Sequence, residues 1–210
     1  MINKLPKIKT NKKICIVCEG DEEFAYISKL KQLRVFSNKL TINPLNADGI
    51  SNIFDVYSNA YQSDNYDLVI IFCDTDNNPF IQYKDLKKQV KDFHGLNKNS
   101  DVFDLICFGN PCTMQIILSH FDNVKLKSRL KNVNAIKIKK LTGVDDYRAT
   151  KHQIDCIMRK ITLRNFQTMK YNLKNISQQD STTPSTNFLE MLSNFESDDY
   201  QWIENINLKL

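Results

Sequence analysis

Glycine and proline are scarce, five of each in 210 residues. Neither G-x-x-x-x-G-K-[ST] nor G-x-G-x-x-G occurs, so no glycine-rich loop is available to cradle the phosphates of a nucleotide. The absence of a G-x-S-x-G elbow removes support for serine-hydrolase chemistry. Apolar runs are short, and none approaches the roughly 20 residues that a membrane-spanning helix needs. Residues 1–13 (MINKLPKIKTNKK) lack the apolar stretch and small-residue cleavage site of a secretory signal, so a cytoplasmic protein without a membrane partner is expected. Internal repeats and low-complexity tracts are also missing.

What is present reads as an ordinary globular chain, 41% hydrophobic and 25% charged, long enough for one main domain with its own core. The six cysteines, at 15, 18, 73, 107, 112 and 156, sit mainly in or beside apolar runs, as reduced buried thiols do. Cys15 and Cys18 form a C-x-x-C, but residues three apart on a strand point to opposite faces, and no second pair completes a zinc site.

The net charge of +5 is unevenly spread. Residues 1–13 carry five lysines and no acid, and residues 14–124 carry nine basic and fifteen acidic side chains. Residues 125–174 carry fourteen basic and three acidic side chains, and residues 175–210 one basic and six acidic. A basic segment beside an acidic one suits a polyanionic substrate held near metal-binding carboxylates. A lysine-rich solvated helical face accounts for the same tally.

The first half alternates strand and helix signals. ICIVC (14–18) is an apolar strand, followed by Glu19-Gly20 and a helical pattern at Tyr26, Ile27, Leu30 and Leu33. LTINPL (40–45) contains Pro44 and reads as an edge strand, and residues 51–61 as a helix with Ile53, Tyr57 and Ala60 on one face. LVIIFC (68–73) is a strand covered on both faces, with a helix marked by Tyr83, Leu86, Val90 and Phe93 behind it. FDLICF (103–108) gives a fourth strand, ended by Gly109-Asn110-Pro111, and a helix follows over 112–121. AIKIK (135–139) fits a fifth strand. Beyond residue 145 the pattern is helical, with a polar loop at 177–186 in which Pro184 is placed to open a helix. The expectation is an α/β fold with a mostly parallel sheet flanked by helices: a domain over 1–140, and a helical extension over 141–210 packed on the same core.

In such sheets functional groups collect beyond the carboxyl ends of the strands. Glu19 follows the first strand, Asp74 and Asp76 the third, and Asn110 the fourth. In an extended backbone Asp74 and Asp76 project to the same side, and their mutual repulsion is relieved by a hard cation such as Mg²⁺. The plain alternative is that CDTDNNP is a turn. Glu19 is placed to bind metal or move a proton, and Gly20 lets a ligand approach the backbone. Glu23 is a further candidate, although acids in a first helical turn also serve the helix dipole. His120 reads as a packed ring or dipole contact, while His94 and His152 look like surface residues. Substrate contacts are sought at Asn110 and His120 and, in the basic segment, at Lys137, Lys139, Lys140 and Arg148.

E-G-D-E-E at 19–23, D-T-D at 74–76 and N-P-C-T-M-Q-I-I-L-S-H-F at 110–121 together resemble the Toprim fold, and more narrowly RloB-like proteins, a Toprim-related group linked to bacterial phage defence and restriction loci. The likeness spans roughly residues 13–122. It implies a Toprim-like (Rossmann-like) sheet and a Mg²⁺- or Mn²⁺-dependent nuclease acting on RNA or DNA. In that case Glu19 serves acid–base chemistry or metal, Asp74 and Asp76 bind metal, and Glu23 is a second acid. It also implies a partner ATPase of the AAA type. Thr113-Met114 stand where the family helix usually carries Phe-Glu, which removes a carboxylate, and Ile116 where tryptophan is common.

Rival readings remain. One is a phosphotransferase of the haloacid dehalogenase type or a metal-dependent glycosyltransferase. Glu19-Gly20 argues against both, and Asn78 stands where the dehalogenase pattern expects a hydroxyl. Another is an inactive Toprim relative acting as a sensor or scaffold.

Overall fold

The computed structural model describes residues 11–76, 80–97 and 100–210, which leaves Asn78 outside the described residues. Along the first half β1 (Lys12–Cys18), α1 (Asp21–Gln32), β2 (Leu40–Asn46), α2 (Ile50–Gln62), β3 (Leu68–Asp74), α3 (Ile81–Phe93) and β4 (Ile106–Asn110) alternate. Then come α4 (Met114–Leu118), α5 (Lys131–Thr142), α6 (Lys151–Lys160), α7 (Leu163–Leu173), β5 (Ser185–Thr186), α8 (Phe188–Glu196) and α9 (Gln201–Asn207). The sheet order is β2-β1-β3-β4-β5, with β5 alone antiparallel to its neighbour. The protein is therefore α/β, with a mostly parallel sheet flanked by helices and a helical C-terminal region.

Hydrophobic patterning explains the order of the strands. β1 and β3, the most apolar runs, lie in the middle of the sheet, where both faces are covered. β2 carries Pro44, which lacks a ladder donor, and it takes the edge. Pairing register assigns the layers. Phe72 lies opposite Cys107, and Cys73 opposite Phe108, so Phe72 and Phe108 point to different faces. The Phe72 ring meets Phe188 of α8, which in turn meets Tyr26 of α1. The Phe108 ring meets Tyr83 of α3. Helices α1 and α8 thus cover one face, and α3, which packs on α2, the other.

Several elements differ from the sequence expectation. Residues 135–139 are not a strand; they lie inside α5. The Ile-Lys alternation mimics a strand, yet the buried positions are Asn134, Ile138 and Thr142, four residues apart, and Ile136 is 85% exposed. The fifth strand is instead Ser185–Thr186, within the segment read as a polar loop. Pro184 precedes that strand rather than opening a helix, and α8 begins at Phe188 behind Asn187. Asn187 explains the stop. Its side chain accepts from Phe108 N–H and donates to the carbonyls of Phe103 and Ile106, so it binds the sheet edge. The fourth strand runs through Gly109 and Asn110 instead of ending before them, and the helix after it is confined to Met114–Leu118. No described helix is long and apolar enough to cross a membrane.

Gly109 is required by close approach. A Cβ built there would stand 2.8 Å from the backbone nitrogen of Thr113, in the turn that crosses the end of β3. Gly109→Ala is expected to lower the unfolding free energy by about 1–3 kcal/mol and to loosen the 112–113 turn. Denaturant melts check the first effect. The second is checked by exchange of the Thr113 amide, which stays protected if the space can be made without moving the turn.

Candidate active site

β1 and β3 pair in parallel with Cys18 opposite Phe72, so the chain leaves both strands at the same rim of the sheet. Glu19 N–H donates to Phe72 O at 2.9 Å, and Asp74 N–H donates to Glu19 Oε2 at 2.9 Å. The Glu19 carbonyl accepts from Gly49 N–H at 2.7 Å; Gly49 has φ of 121°, a conformation that only glycine adopts readily. Three strand ends therefore fix one glutamate.

Asp74 is held from the other side. Thr113 gives both its backbone N–H (2.6 Å) and its Oγ1 (2.9 Å) to Asp74 Oδ1. Glu23 is buried in the first turn of α1, where its Oε2 accepts from Gly20 N–H at 3.0 Å. Each of these three carboxylates thus has one oxygen tied to an N–H group of the chain.

Asp76 behaves differently. β3 ends at Asp74, and Asp76 has φ of 63°, so the two aspartates do not share the extended backbone expected of them. Asp76 Oδ1 instead pairs with Arg129 Nη1 at 2.6 Å. Glu22 accepts from Tyr147 Oη at 2.6 Å and lies 3.6 Å from Lys131 Nζ. Glu19, Glu22, Glu23, Asp74, Asp76, Arg129 and Lys131 all line one cleft of about 360 Å³.

The other expected contacts lie elsewhere. Asn110 is fully buried, and its amide donates to the carbonyls of Asp180 and Thr182, which pins the loop before β5. His120 is a core residue: Nε2 meets Tyr26 Oη at 2.9 Å and Nδ1 meets Asn165 Oδ1 at 3.3 Å. Lys137 donates to Lys125 O, Lys139 pairs with Asp145, Arg148 pairs with Asp146, and Lys140 is exposed. None of these six lines the cleft. The groups missed in the sequence are Thr113, Arg129, Lys131 and Tyr147. Only the general basic run over 125–174 pointed toward two of them.

Burial dominates the electrostatics. It raises Glu19 to about 7, against the opposing Asp74 N–H and with added repulsion from Asp76 and Glu22. It raises Glu23 to about 8, with repulsion from Glu22 and Glu19. Asp74 is also pushed well above the usual carboxylate range, by burial first and then by Glu23 and Glu19. Crowded buried acids of this kind favour whatever positive charge can reach them.

Glu19, Glu23 and Asp74 offer carboxylate oxygens, the donor type that hard divalent cations take. Asp76 is already engaged by Arg129, and among the described residues no group of three or more His, Cys, Asp or Glu side chains is arranged to hold a metal ion. No protein-family model, curated protein or solved structure matches the chain.

These shifts give stability a definite pH dependence. Between the ordinary glutamate value of 4.5 and their folded values of about 7 and 8, Glu19 and Glu23 bind more protons in the native state than in the unfolded chain. Stability therefore falls as pH rises through that window. His120, lowered to about 4 by burial, acts in the opposite direction, but only below its ordinary 6.5. Thermal melts from pH 6.5 to 8.5 should show a falling Tm, with a slope of up to about 1.4 kcal/mol per pH unit for each acid. Glu23→Gln should flatten it. A Tm that rises over this range contradicts the assignment.

Proposed function

We propose that this chain is a Toprim-type nuclease that hydrolyses phosphodiesters of RNA or DNA with the help of Mg²⁺ or Mn²⁺. The observation that carries this reading is the meeting of Glu19, Glu23 and Asp74 at one rim of the sheet, buried and short of positive charge, with Arg129 and Lys131 across the same cleft. Glu19, Glu23 and Asp74 are the residues that would hold the cation, with Asp76 added if Arg129 moves away. A bound cation would supply a nucleophile at neutral pH and offset the negative charge that develops on the phosphoryl oxygens.

The remaining work falls to side chains of the chain itself. Glu19 has one oxygen fixed by Asp74 N–H, which leaves its other oxygen either to hold the cation or to move a proton. Arg129 offers a planar fork for a phosphate, and Lys131 a point charge. Thr113 orients Asp74, and Tyr147 orients Glu22. The RloB-like resemblance supports a setting in phage defence beside an AAA-type ATPase.

A second reading, a catalytically inactive scaffold, is favoured by one observation: Met114, at the place of the family glutamate, lines the cleft and adds no carboxylate. Purified protein incubated with labelled RNA or plasmid DNA in Mg²⁺, Mn²⁺ or EDTA separates the two. Cleavage that needs the metal and drops about 100-fold or more in Asp74→Asn is expected. Cleavage that survives the substitution removes the mechanism, and no cleavage of any substrate favours the scaffold.

Arg129 makes a separate prediction. Because its guanidinium already neutralises Asp76, Arg129→Gln should tighten Mn²⁺ binding about fivefold, the size of a half-exposed ion pair, while weakening nucleic-acid binding. Calorimetric titration checks the first part. Weaker Mn²⁺ binding in the variant would mean that Arg129 supports the cation instead of competing with it.

A further inference from the structure

Helix α3 lies in the part of the chain whose charge tally is acidic, yet one of its faces is strongly basic. Lys84, Lys87, Lys88 and Lys91 are spaced i, i+3, i+4 and i+7, which places them on a single stripe about 10 Å long. Like charges at these spacings disfavour the helix that carries them, so the stripe is not a device for stability. Lys87 is fixed by Asp180 at 2.7 Å, with Nζ 5.2 Å from the centre of the Phe103 ring. Lys84 and Lys88 are exposed and make no ion pair among the described residues.

The stripe forms one wall of a groove of about 690 Å³ that shares no lining residue with the acidic cleft among the described residues. Phe80, Tyr83 and Leu96 give it an apolar floor, and Asp92, Asp180 and Ser181 complete the lining, so the lysines outnumber the acids four to two. Phe80 stands at the head of α3, just beyond the end of β3, and Asp180 belongs to the loop that Asn110 pins at the end of β4. The groove therefore opens at the same sheet rim as Glu19 and Asp74, and runs from there along α3.

We infer that this groove is a second nucleic-acid contact, a track for the backbone of a single strand whose phosphates face the lysines. The inference rests on the nuclease reading for the identity of the polyanion. The argument for a strand is charge complementarity: a row of cations at regular helical steps beside an apolar floor matches a repeating anion with flat rings between its charges. An acidic polypeptide matches the charge but not the floor.

Fluorescence anisotropy of a labelled single-stranded oligonucleotide in EDTA, titrated at several salt concentrations, tests this without cleavage. For Lys84→Gln/Lys88→Gln the slope of log K against log salt should be shallower by about 1.4, and affinity at about 0.1 M salt should fall roughly 10- to 30-fold. Lys29→Gln/Lys31→Gln, the same charge change on α1 across the sheet, should bind nearly as the native protein does. Equal losses in both variants, or none in the first, overturn the inference while cleavage in Mg²⁺ leaves the nuclease reading standing. Loss confined to the first variant in a protein that cuts nothing supports the track and removes the nuclease. If polyglutamate binds as tightly, with the same dependence on Lys84 and Lys88, the groove is a protein-docking surface and the inference fails.

Discussion

The parallel pairing of β1 with β3 is the constraint on which the site depends. It brings the ends of two strands that are distant in sequence to one level, so that Asp74 N–H reaches Glu19 Oε2 across a gap of 55 residues. Neither side chain could be held so closely by its own loop. The rest of the cleft is built on that junction. Gly49 closes on the Glu19 carbonyl from the β2 side, and Thr113 closes on Asp74 from the β4 side. Gly109 leaves the room for the second contact.

Burying several carboxylates together is costly, and the fold answers in three ways. Hydrogen bonds from N–H groups hold one oxygen of each inner acid. Protons are retained near neutrality at Glu19 and Glu23. Arg129, just before α5, and Lys131, at its head, reach in to face Asp76 and Glu22. These devices differ in how easily they give way. The backbone contacts are fixed by the sheet, whereas protons and a partly exposed guanidinium exchange with other positive charge. A cleft balanced in this manner is rigid in its donors and adjustable in its counter-charges, and the proposed binding of a cation together with a phosphate rests on that property.

Much of this was legible in the sequence because it depends on local patterning. Apolar runs identified β1 and β3 as strands and β3 as covered on both faces, Pro44 put β2 at the edge, and the rule that functional groups collect at strand ends led to Glu19 and Asp74. What could not be read depends on contacts between distant residues or on competing periodicities. The 135–139 segment satisfies a strand alternation and a helical spacing at once, and packing of Ile138 decided for the helix. A tally of fourteen basic residues over 125–174 could not say that Arg129 and Lys131 face the acids while Lys137, Lys139, Lys140 and Arg148 do not. Asn110 and His120 carry strong motif signals, yet both serve the core, one pinning a loop and the other bridging α1 to α7. The pairing of Asp74 with Asp76 was inferred from an extended backbone, and the left-handed turn at Asp76 breaks that geometry.

Whether the inner acids share a cation is tested most directly by anomalous scattering from crystals soaked in Mn²⁺ at pH 8. The account predicts one strong peak bounded by the carboxylates of Glu19, Glu23 and Asp74, accompanied by movement of Arg129 wherever Asp76 joins the ligands. A soaked crystal with Mn²⁺ bound elsewhere and no density between these three side chains would contradict it.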